Sequence, residues 1–394
     1  MKLRLHFIFF LFSVSFLNVF AQSSAADKPA LDKILLRAKE THSISLLIVK
    51  DGKIVGEYYA GDKNEKIQLM SVTKSIVSLA IGKLIDEGKI KSLDQPVYEF
   101  YPEWKQGNKV LITVKHLLNH TSGMQNAANA GLEVEPSKDV VKLALAAELS
   151  DAPGTRYSYN NKAVNLLAGI IQVASGKRMD VFFRDEFFDP MQIKDFDWTL
   201  DAAGNPYAHF GLQLSAVDLS KFGELVLNRG KWNGKQLISE KWIDAMLAQS
   251  QPYNESGGLS WWRTSSDETY TIDDEHLQTL EKAGVEKSFL EKLQPIKGKI
   301  YQAGERAVAV SEIFGTDWRT ILSSQQLGNK NTTLFKKRMG EVDGFYSNGY
   351  LGQFLIIVPG SKTVAVRQVK QSKDYNANTD GFDEFISLVM QFAK

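Results

Sequence analysis

The 394-residue chain has no cysteine, which excludes a disulfide scaffold, a thiolate nucleophile, a lipidated cysteine and any Cys-based zinc or iron–sulfur site. Histidine is scarce too: His6, His42, His116, His120, His209 and His276 show no HExxH or comparable ligand spacing. Neither a metal nor an organic cofactor is expected. Charge of one sign is also lacking, since 47 Lys+Arg stand against 46 Asp+Glu. Nothing electrostatic therefore points to nucleic acid or an anionic membrane as a partner. The Gly-x-Ser-x-Gly elbow of one large hydrolase class is missing. Beyond residue 21 no run is long and apolar enough to cross a bilayer, so the mature chain is expected to have no stable membrane span.

What is present begins with an export signal. Lys2 and Arg4 precede the apolar runs Phe7 to Phe12 and Val14 to Phe20, which end at Ala21. A basic start, a short apolar stretch and a small residue at the break read as a signal peptide over 1–21, giving a periplasmic or secreted protein. The alternative, an uncleaved anchor, suffers from the shortness of the run.

Periodicity sets the organisation. Apolar spacing predicts a helix over Leu31 to Lys39, then strands over Ile44 to Val49 and Ile54 to Tyr59 around the Asp51-Gly52 turn signal. Helical spacing follows over Ser71 to Glu87, with Gly88 as its stop. It recurs over Val114 to His120, Val140 to Leu149, Ala163 to Ala174, Ala216 to Leu227 and Glu240 to Ala248. Strand patterns return at Leu259 to Arg263, Gly352 to Val358 and Thr363 to Val369, before a closing helix over Asp380 to Phe392. The expected fold is α/β (α+β): an antiparallel sheet flanked by helices, built from both chain ends. Its sheet domain takes 30–95 and 250–394, and a mostly helical domain, 96–249, is inserted between them.

The chemistry starts at Ser71-Val72-Thr73-Lys74. Residues three apart share a helix face, and a serine hydroxyl needs a base beside it to act as a nucleophile. Burial lowers a lysine pKa toward that task, and a helix N-terminus favours developing negative charge. A chain this rich in Ser and Lys carries roughly one or two such tetrads by chance, and the tetrad alone reads better as an N-cap serine followed by a solvated lysine. Further along, Pro153-Gly154 to Asn161 forms a turn-rich loop with Tyr159 and Asn161 two apart. One could shuttle protons and the other hold an amide; alternatively Tyr159 packs its ring and Asn161 caps the next helix. Late in the chain, Asn348-Gly349-Tyr350-Leu351-Gly352-Gln353 precedes an apolar strand. Glycines there allow close backbone approach, and an exposed strand amide can serve an oxyanion hole.

These three stretches, in this order, resemble the motifs of the serine β-lactamase and penicillin-binding-protein-like superfamily. The closer resemblance is to its class C β-lactamase-like branch, with family VIII carboxylesterases, D-alanyl-D-alanine carboxypeptidases and 6-aminohexanoate-dimer hydrolases. Supporting signatures are Ile112-Thr113 through His116-Leu117-Leu118 to His120-Thr121-Ser122-Gly123, and Leu166-Leu167-Ala168-Gly169 after the Tyr159 loop. The stretch from Gly211 to Ala216, with Asp218-Leu219 and Phe222-Gly223, resembles a later family helix. The resemblance implies a β-lactamase/transpeptidase-like fold and a serine hydrolase working through an acyl-enzyme. It makes Ser71 the nucleophile, Lys74 its partner, and Tyr159 the general base and leaving-group acid, with an ammonium nearby to stabilise a phenolate. Asn161 would contact the substrate amide, and Tyr350, Leu351 and Gly352 would stand where the family has Lys-Thr-Gly or His-x-Gly. The N–H groups of Ser71 and Gln353 would form the oxyanion hole.

Tyr350 departs from that pattern, because a neutral phenol replaces the cation that helps hold a substrate carboxylate. This favours a small ester or amide over a D-amino-acid peptide or β-lactam, unless Arg263 or Arg367 supplies a cation from elsewhere. A non-catalytic binding or sensor module is the remaining alternative, against which the intact Ser71, Lys74 and Tyr159 argue. The stretch from about Thr264 to Phe335 is a second departure. It reads as a helical hairpin over Asp273 to Lys282 and Val285 to Leu293, and as either a lid or a decorative or oligomerising addition. Trp261-Trp262 before it read as packing residues more than pocket lining, and His116 and His120 as structural rather than a metal pair.

The signal reading has a direct check: the intact mass of the exported protein should begin at Gln22. A membrane-retained product that keeps residues 1–21 would instead identify an anchor.

Overall fold

The computed structural model describes residues 27–394 apart from 128, 129, 303, 304, 328, 329, 331 and 374. The expected signal peptide lies outside the described residues. Six strands form the main sheet: β1 (Ser45–Lys50), β2 (Lys53–Tyr59), β3 (Trp262–Thr264), β4 (Gly344–Gly349), β5 (Gln353–Val358) and β6 (Thr363–Gln368). Their spatial order is β2-β1-β6-β5-β4-β3, with every neighbour antiparallel. The two chain ends meet where β1 pairs with β6, from Ser45 opposite Gln368 to Lys50 opposite Thr363. The β1–β2 hairpin turns at Asp51 and Gly52, both at positive φ (50° and 71°), the backbone that an Asp-Gly turn favours.

Eight helices fix the layers: α1 (Asp27–Glu40), α2 (Val72–Asp86), α3 (Val114–Leu118), α4 (Val140–Ala146), α5 (Asn161–Ser175), α6 (Ala216–Leu227), α7 (Glu240–Leu247) and α8 (Phe385–Phe392). Strand side chains alternate faces. Leu46, Ile48, Phe354, Ile356 and Ala365 pack with α1 and α8, whereas Leu47, Val49, Leu355, Ile357, Val364 and Val366 join the cluster containing α2, α5 and α6. With both faces covered, every residue of β5 and β6 is buried, the polar Gln353, Thr363, Arg367 and Gln368 included. Gly223 lets α6 sit close on the sheet, since a Cβ there would lie 2.5 Å from Val364.

Several elements were not legible in advance. β4 has no apolar alternation, and only its pairing with both β5 and β3 makes Gly-Phe-Tyr-Ser-Asn-Gly a strand. The helical segment Met179–Phe183, continued by Arg184–Phe188, buries Phe182, Phe183, Phe187 and Phe188 together. Helix ends also contract: the Val140 helix stops at Ala146 rather than Leu149, and the C-terminal helix begins at Phe385 rather than Asp380.

The 264–335 stretch has an apolar cluster of its own, centred on Tyr270, Ile272, Leu280, Phe289, Leu293 and Phe335. Its expected hairpin appears as Asp274–Lys282 and Lys287–Lys292, and two unforeseen helices follow, Glu305–Phe314 and Trp318–Ser324. Ion pairs tie it to the C-terminal region: Lys394 to Asp267 at 3.6 Å, and Arg319 to Asp383.

Close packing of α2 on α7 yields a stability prediction. A Cβ on Gly82 would lie 2.3 Å from the Trp242 ring, whereas one on Gly61 would meet nothing within 4 Å. Urea unfolding should show Gly82→Ala losing about 1–3 kcal/mol, with Gly61→Ala changing stability by less than about 0.5 kcal/mol.

Candidate active site

The start of α2 is placed by a short ladder in which Ile67 and Gln68 pair with Leu214 and Gln213 and the Leu69 N–H donates to the Leu212 carbonyl at 2.9 Å. Met70 then takes a left-handed backbone (φ 49°), uncommon for a non-glycine residue and a frequent mark of functional turns. Ser71 follows at the N-cap position, yet its hydroxyl makes no capping bond. It accepts instead from Lys74 Nζ at 2.9 Å. The solvated-lysine alternative fails, because Lys74 is 2% exposed and its Nζ also donates to the His209 carbonyl at 2.9 Å.

Burial pulls the Lys74 pKa below its ordinary value, and negative charge on Tyr159 works against that pull. Lys74 Nζ lies 4.9 Å from the Tyr159 ring centroid, so the structure brings Ser71, Lys74 and Tyr159 together. His120 covers Tyr159, with ring centroids 4.4 Å apart. Burial, and then the Lys74 charge, push the His120 pKa down to about 3, so its ring is neutral in ordinary buffers.

Backbone bonds hold the two signature loops together. The His120 carbonyl accepts from Ser158 N–H (2.8 Å), that of Thr121 from Gly154 N–H (2.7 Å), and that of Gly123 from Ser150 and Asp151 (2.8 and 3.2 Å). Gly123, at φ 72°, must be glycine here, since a Cβ would lie 2.2 Å from the Asp151 carbonyl oxygen. Asn126 Nδ2 donates to the Tyr159 carbonyl at 2.7 Å.

The cap of α5 is Asn160, whose Oδ1 accepts from the Ala163 N–H at 3.0 Å, so the capping alternative for Asn161 is corrected. Asn161 Oδ1 is buried without a hydrogen-bond partner. Such an acceptor is costly to leave unpaired and suits a substrate N–H.

The third motif is rearranged relative to expectation. Gly349, at the end of β4, is the residue against the nucleophile: a Cβ there would lie 2.9 Å from Ser71 N and 2.7 Å from the Leu69 carbonyl oxygen. Gly352 does not serve ligand approach. It sits at φ 88°, and a Cβ would lie 2.3 Å from Arg367 Nη1 and 2.6 Å from the Gly381 carbonyl oxygen. Gln353 is fully buried, with its side-chain amide spent on the N–H and carbonyl of Val369, and it lies one strand beyond Gly349. Its complete burial leaves no part of it, the backbone N–H included, exposed toward a substrate at Ser71. Tyr350 follows Gly349 and is 67% exposed.

Neither arginine supplies the missing cation. Arg367 is fully buried, donating to Ser43, Thr41, Gly352 and Asp380 beneath the turn, and desolvation lowers its pKa to about 10. Arg263 Nη1 donates to the Glu255 carbonyl at 2.9 Å. Trp261 is a packing residue whose Nε1 donates to the Ser75 carbonyl at 3.1 Å. The helical His116–His120 pair is also corrected, since α3 ends at Leu118 and His120 turns left-handed (φ 59°). His116 Nδ1 accepts the Thr113 N–H in a capping box.

Sequence reasoning missed His120 as a site residue, Gly349 as the close approach, and the His209 carbonyl. The His120-Thr121-Ser122-Gly123 signature held a signal for the first and the Asn348-Gly349 pair for the second. A backbone carbonyl leaves no signal in side-chain identity.

The beta-lactamase family profile matches residues 31–381. A 6-aminohexanoate-dimer hydrolase of Paenarthrobacter ureafaciens is 25% identical over 231 residues, 54% of this chain and 59% of that protein. The D-alanyl-D-alanine-carboxypeptidase/endopeptidase AmpH of Escherichia coli K12 is 31% identical over 142 residues, 34% and 37% of the two chains. The chain thus spans less than two thirds of either relative. A crystal structure described as a putative beta-lactamase from Bacteroides dorei covers 93% of this chain and 98% of its own, with a TM-score of 0.63 at 17% identity, a likeness of fold.

The buried amine sets a pH dependence. A base whose pKa is lowered is unprotonated over a wider range, so the rate of Ser71 modification should rise with pH and level off below the ordinary lysine value of 10.5. Lys74→Arg, permanently charged, should lower that rate by about a hundredfold or more. Stopped-flow labelling across pH measures both.

Proposed function

Because the chain belongs to the beta-lactamase family, we propose that it is an exported serine hydrolase that forms an acyl-enzyme on Ser71, most suited to a small neutral ester or amide. The observation that carries this reading is the buried Lys74 amine 2.9 Å from an uncapped Ser71 hydroxyl. Ser71 Oγ attacks the carbonyl carbon while its proton passes to the Lys74–Tyr159 pair. The tetrahedral oxyanion meets the Ser71 N–H and, with Gln353 buried, the backbone N–H of Tyr350 just beyond Gly349. Tyr159 returns the proton to the departing alcohol or amine, and water then hydrolyses the acyl-enzyme by the same route reversed. Asn161 Oδ1 accepts from an amide substrate.

The ester or amide preference rests on the phenol at Tyr350 and on Arg367 and Arg263 being bonded elsewhere. The carboxypeptidase/endopeptidase name of one relative keeps a D-amino-acid peptide, with slow acylation by penicillins, as the second reading. The domain division read from the sequence suits this scheme, with α2 and β4 from the sheet domain and Tyr159 and Asn161 from the helical one. Export rests on Lys2, Arg4 and the apolar run to Ala21.

Intact-mass analysis after a fluorophosphonate probe should show one adduct, mapped to Ser71 and absent from Ser71→Ala. A parallel penicillin sample should remain unmodified if the ester or amide reading holds. A folded wild type without any adduct would replace catalysis with a binding role.

A further inference from the structure

One residue grips three consecutive positions of the catalytic loop. The His120 carbonyl accepts the Ser158 N–H at 2.8 Å, its ring lies over the Tyr159 ring at 4.4 Å and 34°, and its Nδ1 accepts the Asn160 N–H at 3.2 Å. We infer that His120 is a positioning residue for Tyr159, fixing both the backbone that carries the phenol and the ring itself, and thereby controlling how well Tyr159 protonates the leaving group. The inference rests on the serine-hydrolase reading and adds a residue to it.

A proton-relay role does not fit the same contacts. Nδ1 is occupied by a backbone donor, so a neutral ring carries its hydrogen at Nε2. The groups facing the ring are Lys74, which disfavours a second positive charge, and the rings of Tyr157 (6.1 Å, edge-on) and Tyr159. A ring that stays neutral stacks on the phenol without competing for its proton. The left-handed backbone at His120 is held from both sides by the Ser158 and Asn160 bonds. Loop and ring are thereby located together, which is what a proton donor aimed at a departing atom requires.

Positioning of this kind has a signature that general destabilisation lacks. An alkoxide cannot leave without a proton, whereas p-nitrophenolate can, so a displaced Tyr159 harms the first far more. The test compares kcat/KM, which reports acylation, for the ethyl and p-nitrophenyl esters of one acid in wild type, His120→Phe and His120→Asn. His120→Phe keeps a ring but loses the acceptor; His120→Asn keeps an acceptor but loses the ring. The expected result is a loss on the ethyl ester about ten- to a hundredfold greater than on the p-nitrophenyl ester in both variants. Equal losses on the two esters, or none, overturn the inference while a fluorophosphonate adduct on wild-type Ser71 leaves the hydrolase reading intact. A wild type that takes no adduct overturns both. Should neither variant fold, 15N NMR of the wild-type imidazoles decides: a neutral His120 protonated at Nε2 at pH 6 supports the inference, and a hydrogen on Nδ1 overturns it.

Discussion

A lysine amine excluded from water, with a serine hydroxyl on one side and the His209 carbonyl on the other, is the constraint around which the molecule is arranged. Burying an amine is unfavourable unless its hydrogens are bonded, and here α2, the 209 segment and the Tyr159 loop must all be in place to satisfy it. Those elements come from different parts of the chain. Ser75, one residue on from Lys74, lies with its hydroxyl 2.6 Å from Ser347 Oγ of β4 and 2.5 Å from the Ser260 carbonyl, which keys α2 to the sheet edge. Trp261 adds its indole N–H to the same helix. The nucleophile is thereby held by rigid elements on every side, with no loop carrying it alone.

The second organising feature is the mutual docking of the two signature loops. The 120–123 and 150–160 segments exchange backbone bonds along their length, and Gly123 allows an approach that no other residue would tolerate. Neither segment has regular structure to hold it. Each supplies the other with the backbone partners that buried loops require. This explains in physical terms why His120-Thr121-Ser122-Gly123 and the Tyr159 loop read as linked signatures: a change in one removes the partners of the other.

Beneath the third motif, Arg367 acts as a buried strut. It is bonded to carbonyls from Thr41, Gly352 and Asp380, so it joins the N-terminal helix, the turn after β4 and the C-terminal segment. That explains why Gly352 is glycine, and why a charge near the site does not act on substrate. The exposed side of the same turn is left to Tyr350, with Gly349 against Ser71.

Local chemistry alone determined much of this protein. The Asp51-Gly52 hairpin, α6 from Ala216 to Leu227 and the strands β5 and β6 follow from periodicity and turn preference, and Ser71, Lys74, Tyr159 and Asn161 as the residues to watch follow from linked motifs and the family they resemble. Those signals are carried by side chains over a few neighbouring positions. β4, the placement of Gly349 rather than Gln353 at the nucleophile, the role of Arg367 and the cover His120 gives Tyr159 were decided only by tertiary structure. Each of these depends on what lies across a strand or a loop, on carbonyls and N–H groups common to every residue, and sequence records neither.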